Sequence, residues 1–107
     1  MTVTDNAAPR VDSPSTPTTV RLSGDIDIFS SGALRRQLLG TLRHSTSLLV
    51  LDLSEVTFCD ASGLAVLVGI QHRAKQRGIT LALTAPRPYM SRILHITGLD
   101  RSLPMVG

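Results

Sequence analysis

The run Leu48-Leu49-Val50-Leu51-Asp52-Leu53 constrains this chain most, because it is short, almost continuously apolar and shows no alternation. A segment of that kind has no face to give to water, which suits a central strand of a parallel sheet covered on both sides. Beyond Asp60 the period changes. Gly63, Leu67, Ile70 and Ala74 recur at helical spacing, and Lys75, Arg77 and Gly78 supply the basic last turn and the glycine stop of a helix C-terminus. Val66, Val68 and Ile70 also alternate as a strand would, so length and stop signals decide for the helix. The junction is Phe58-Cys59-Asp60-Ala61-Ser62-Gly63-Leu64, and it places Ser62 in the first helical turn.

The flanking segments extend the same rhythm. Thr19 to Ser23 alternates and is cut by Gly24, which predicts a strand leading into a turn at Gly24-Asp25-Ile26-Asp27. Ser30 or Ser31 then caps a helix with the apolar stripe Leu34, Leu38 and Leu42, while Arg35, Arg36 and Arg43 face outward. Ile79 to Leu83 alternates as a strand with one protected face. Pro88 opens a short helix that runs to about Thr97 and stops at Gly98, and Leu103-Pro104-Met105-Val106 is a brief edge strand at best. Strand, helix, strand, helix, strand, helix predicts an α/β fold: a small mixed or parallel sheet of about four to five strands with helices packed against it.

With 107 residues and no apolar stretch near the roughly 18 needed to span a bilayer, one small domain is expected over residues 20–107. Residues 1–19 are rich in Thr, Ser, Pro and Asp and read as a flexible tail or a weak first strand interrupted by Pro9, Pro14 and Pro17. No apolar signal core follows a basic start there, so a cytoplasmic location is expected. Cys59 is the single cysteine and reads as a small buried residue, with no zinc-like Cys/His spacing around it. The net charge of +3 is spread over two helices and aromatic content is 3%, which argues against a nucleic-acid surface. His44, His72 and His95 are scattered and suit surface or capping roles, and Tyr89 and Met90 suit packing.

In a parallel sheet the loops leaving the strand C-termini share one edge, which predicts that the Asp25–Asp27 loop and the Asp60–Ser62 loop meet. The local sequence leaves two readings open there. Asp60 is a plain helix cap with Ser62 an ordinary first-turn residue and Gly63 a close-packing position, or Ser62 is a presented hydroxyl at the positive end of a helix, suited to carry a phosphate. The same choice holds for Asp25 and Asp27, a plain acidic turn or a docking element. Ala65, Val66 and Gly69 are either buried or, where exposed near Ser62, a contact patch. No phosphate-cradling glycine loop, nucleophile elbow or paired catalytic set is present, so an enzyme is not expected, and a hydrolase built on Ser62 lacks a placed base.

Four pieces, Leu22-Ser23-Gly24-Asp25-Ile26-Asp27, Leu51-Asp52-Leu53-Ser54, Phe58 to Leu64, and Thr97-Gly98-Leu99-Asp100, resemble in order the motifs of the STAS-domain anti-sigma factor antagonists. The resemblance covers about Val20 to Val106. It implies a phosphorylatable Ser62 and a partner that is both anti-sigma factor and serine kinase. That partner binds the unphosphorylated chain, releases its sigma factor, and supplies ATP from its own site, so no cofactor is expected here. A serine phosphatase is the implied counterpart. By the same resemblance Asp25 and Asp27 match the acidic turn near the docking surface and Asp60 the acid of the serine motif, with Ala61, Ser62, Gly63, Ala65 and Val66 in the contact region. Family members usually continue past the position of Gly107 into a further helix, so a shortened end with uncovered apolar surface is expected. The runner-up reading is a STAS-like, non-enzymatic subunit of a lipid or anion transport assembly in which Ser62 only caps.

Overall fold

A computed structural model describes residues 2–5, 18–45 and 47–106. The elements run β1 (Thr2–Asp5), β2 (Thr18–Ile26), α1 (Ser31–His44), β3 (Leu48–Cys59), α2 (Ala61–Gln76), β4 (Thr80–Thr84), α3 (Pro88–Thr97) and α4 (Leu99–Ser102). The sheet order is β1-β2-β3-β4. The three strands β2, β3 and β4 pair in parallel and carry the core, and β1 joins the β2 edge antiparallel, which makes the sheet mixed. Residues 6–17, where Pro9, Pro14 and Pro17 fall, lie outside the described residues.

Strand β3 contains the apolar run but outlasts it, because its pairing with β2 continues through Ser23 with Glu55 and on to Ile26 with Cys59. Backbone hydrogen bonds hold that extension where side-chain hydrophobicity no longer marks it. Gly24 does not end β2 as expected. Its φ of 82° falls between two shifts of register against β3, so it kinks a strand that runs on to Ile26. Strand β4 also differs from expectation: Leu81, Ala82 and Leu83 are buried in succession, so both faces are covered rather than one.

The helices follow the sequence signals closely. Leu34, Leu38 and Leu42 of α1 are all buried, as are Gly63, Leu67, Ile70 and Ala74 of α2. Pro88 opens α3, and Gly98 closes it with a left-handed φ of 78°. The short α4 leads into a parallel bridge of Met105 with Leu83, in which the Leu83 N–H donates to Pro104 O (2.8 Å) and the Val106 N–H to Leu83 O (2.9 Å). Gln71, the buried polar residue of α2, donates from Nε2 to the Ser102 carbonyl and so ties α2 to α4. Among the described residues no helix is long and apolar enough to cross a membrane.

Candidate functional site

The parallel pairing brings the loops after β2, β3 and β4 to one edge of the sheet, the usual place for a site in such folds. The first two loops are joined directly. Ile26 pairs with Cys59, and the Asp60 N–H donates to Ile26 O at 3.1 Å. Asp25, Asp27, Asp60 and Ser62 therefore do gather, as the chain order implied.

Asp60 is the centre of this edge. It is the extended N-cap residue of α2, and its Oδ1 accepts from the backbone N–H of Ser62 (2.9 Å) and of Gly63 (3.2 Å). The same oxygen accepts a short hydrogen bond from the Ser62 hydroxyl. The Ser62 hydroxyl and these N–H groups hold the Asp60 carboxyl below its ordinary range, against the opposing pull of burial. Ser62 is half-buried and lies outside the core cluster. Its hydroxyl is thus at the surface but engaged, not standing free: the cap and the presented serine are one arrangement.

Gly63 and Val66, which the resemblance put in the contact region, face the core, the packing alternative that the local sequence had left open for both. A Cβ on Gly63 would lie 2.7 Å from Cys59 Sγ, 2.7 Å from Ile26 Cγ2 and 3.1 Å from Ile26 O. Gly63 is what lets α2 sit down on β2 and β3 just behind the serine. Val66 belongs to the buried cluster, while Ala61, Ala65, Val68 and Gly69 form the exposed stripe of α2 that begins at Ser62. Cys59 is buried as expected, and burial, with the Asp60 charge beside it, pushes its thiol up to about 11.

The two acidic residues of the first loop have different duties. Asp25 Oδ1 accepts from the Thr57 hydroxyl at 2.8 Å, which fixes an exposed carboxylate on the β2–β3 pair. Asp27 Oδ1 accepts from the N–H groups of Phe29 (2.9 Å) and Ser30 (3.1 Å), so it builds the turn into α1. Ser30 is the N-cap residue of α1 but makes no capping bond to that helix. Its hydroxyl accepts from the Asp27 N–H (3.0 Å) and donates to Asp25 O (3.0 Å).

Sequence reasoning missed the apolar side chains of this edge. Ile28 and Phe29 are 70% and 93% exposed on the loop after β2. Phe58, at the end of β3, is 42% exposed and stacks on Tyr89, 46% exposed, with ring centroids 6.1 Å apart. Tyr89 thus packs on Phe58 at the surface rather than in the core, whereas Met90, the other residue expected to pack, is buried. The available signal was that Ile28-Phe29 falls between an acidic turn and a helix cap, outside every period. A rigid sheet edge with exposed apolar and acidic groups around a half-buried hydroxyl suits contact with another protein.

Comparison with known proteins agrees with this geometry. The family model described as "Mlab, STAS domain" matches residues 10–107. The anti-sigma F factor antagonist of Paenibacillus polymyxa is 33% identical over 87 residues, 80% of this chain and 74% of that protein. The anti-sigma-B factor antagonist of Bacillus subtilis (strain 168) is 32% identical over 80 residues, 75% of this chain and 72% of the relative. The crystal structure of an anti-sigma factor antagonist from Mycobacterium paratuberculosis superposes with a TM-score of 0.77 at 28% identity, covering 97% of this chain and 85% of that one. The chain belongs to the STAS-domain anti-sigma factor antagonist family.

Proposed function

We propose that the chain is a binding protein that engages an anti-sigma factor through the Ser62 edge, releases a sigma factor, and is switched off when that anti-sigma factor, acting as a serine kinase, phosphorylates Ser62. ATP is bound by the partner, and a serine phosphatase resets the switch. The observation that carries this reading is the Ser62 hydroxyl itself, half-buried at the positive end of α2 on an edge that also exposes Ile28, Phe29, Phe58 and Tyr89. Names of the relatives supply the partner class.

The switch has adequate energy. A phosphoserine carries about −1.5 to −2 charge at neutral pH. One partner carboxylate about 8 Å away, at an effective dielectric of about 20, is opposed by about 4 kcal/mol, nearly a thousandfold in affinity before salt screening. Desolvating a dianion under the partner adds to that cost.

Incubation with an anti-sigma factor kinase and ATP, followed by mass spectrometry, is expected to place phosphate on Ser62. Modification elsewhere, or none, overturns the reading. Ser62→Ala is expected to bind the partner whether or not ATP is present, and Ser62→Asp to bind less tightly, as read by calorimetry. A transport-assembly subunit is the second reading, favoured by the engagement of the Ser62 hydroxyl in the cap of α2. Purification of the chain in complex with a transporter, together with indifference to anti-sigma factors, is the result that selects it.

A further inference from the structure

The outer edge of β4 is paired above and below Leu81 but not at Leu81 itself. The Thr80 N–H donates to Ser47 O, so Thr80, Ala82 and Thr84 turn their backbone groups toward β3, while Leu81 and Leu83 turn theirs outward. On that side the Ile79 N–H donates to Ala74 O, and Leu83 is held by both Pro104 O and the Val106 N–H. Among the described residues none hydrogen-bonds to the outward N–H or C=O of Leu81.

The sequence causes this gap. A parallel ladder carried two residues back from Met105 would have Leu81 donate to Ser102 O and accept from residue 104, but Pro104 has no N–H. Ser102 O is taken by Gln71 Nε2. Leu81 is only 2% exposed, and an unpaired peptide group at such a place is costly. The space beside it is a cavity of about 110 Å³ whose walls include Gln71, Lys75, Ile79, Leu81, Ser102 and Pro104. Gln71 is itself 9% exposed, and its Oε1 accepts no hydrogen bond among the described residues. Lys75 is exposed at the rim and forms no ion pair among those residues.

We infer that this cavity binds an N-acylated α-amino acid with a free carboxylate. In the extended form such a ligand shows an N–H and a carboxylate on one side, and these exchange two hydrogen bonds with Leu81 as an opposed antiparallel residue does. The ligand N–H donates to Leu81 O, replacing the donor that Pro104 lacks. The Leu81 N–H donates to the carboxylate, and the Lys75 ammonium meets its charge. Ile79 and Pro104 offer apolar surface to the acyl group. Since a cavity of roughly 150 Å³ takes a six-carbon ring, this one suits a short acyl group with the carboxylate at the mouth. Gln71 and Lys75 lie roughly 14 and 20 Å beyond Ser62 along α2 at about 1.5 Å rise per residue, so the site is independent of the Ser62 edge.

The test titrates N-acetylglycine, acetate and propionamide into the nitrogen-15-labelled whole chain and follows its amide spectrum. N-acetylglycine is expected to move the Leu81 backbone amide and the Gln71 side-chain amide saturably, with a Kd of about 1–10 mM for a ligand this small. Acetate and propionamide each carry part of the chemistry and should bind at least about tenfold more weakly. Lys75→Met keeps the apolar stem and removes the charge, and should weaken N-acetylglycine about tenfold. Pro104→Ala gives Leu81 O a donor from within the chain and should weaken it similarly, with the thermal midpoint within a few degrees of the unaltered protein. A Leu81 amide that stays fixed up to about 50 mM N-acetylglycine leaves the cavity to water and overturns the inference. Equal binding of acetate reduces the site to an anion contact at Lys75, and shifts confined to the Ser62 edge move it elsewhere; both overturn it, as does unchanged affinity in Pro104→Ala. A glycine-ended tetrapeptide that moves the same amide about tenfold more tightly upholds the chemistry and assigns it to a peptide C-terminus rather than a free acyl amino acid.

Discussion

Gly63 shows how little space separates packing from presentation at this edge. Its missing side chain is the condition for α2 to approach Cys59 and Ile26, and the next residue back is the candidate phosphoacceptor. Gly63→Ala is expected to cost about 1–3 kcal/mol through overpacking, seen as a lowered thermal midpoint. An unchanged midpoint would mean that the helix shifts freely and that Ser62 is not rigidly placed. Asp60 makes a prediction about acid. Its carboxyl is depressed in the folded state relative to an unfolded value of about 3.9, so it contributes stability that is present above that value and is lost as pH falls through the folded pKa. Asp52 has the same sign: partial burial pushes it up, but the Ser54 backbone and hydroxyl bonds and Arg21 outweigh this. Thermal melts from pH 6 down to about 3 should therefore fall less steeply for Asp60→Asn than for the unaltered chain, with the difference confined to the region below about pH 4.

Among the elements, the helices were legible in the sequence and the strand ends were not. The Leu34, Leu38, Leu42 stripe and the Pro88 and Gly98 punctuation act within a few residues of themselves, so period and caps suffice to place α1 and α3. The ends of β2 and β3 depend on each other, because the ladder runs past the last apolar residue and through a glycine kink that looked like a stop. For the same reason the helical stripe is where truncation should hurt most. Leu38→Ala is expected to cost about 2–5 kcal/mol, a large share of the roughly 5–15 kcal/mol available to a domain. Urea unfolding should show a lower midpoint at similar slope, and a loss below about 1 kcal/mol would contradict the packing described.

At the scale of the molecule, the parallel sheet turns three separate loops into one surface, and that surface is acidic and apolar although the chain as a whole is +3. Phe29, nearly fully exposed, separates stability from recognition. Phe29→Ser is expected to leave the unfolding free energy within about 0.5 kcal/mol while weakening binding of the anti-sigma factor about tenfold or more. Calorimetry beside a thermal melt reads both, and an unchanged affinity removes Phe29 from the docking edge.

The residues alone determined the α/β order, the position of Ser62 at a helix start, the Asp60 cap and the burial of Cys59, because each follows from local period, cap chemistry or composition. Tertiary structure alone decided that Val66 turns inward while Ala65 stays exposed, that Phe29 and Tyr89 turn outward, and that the Ser62 hydroxyl is held by Asp60. Those outcomes depend on which face of a helix meets which strand, and that contact is set by the parallel register of segments more than thirty residues apart.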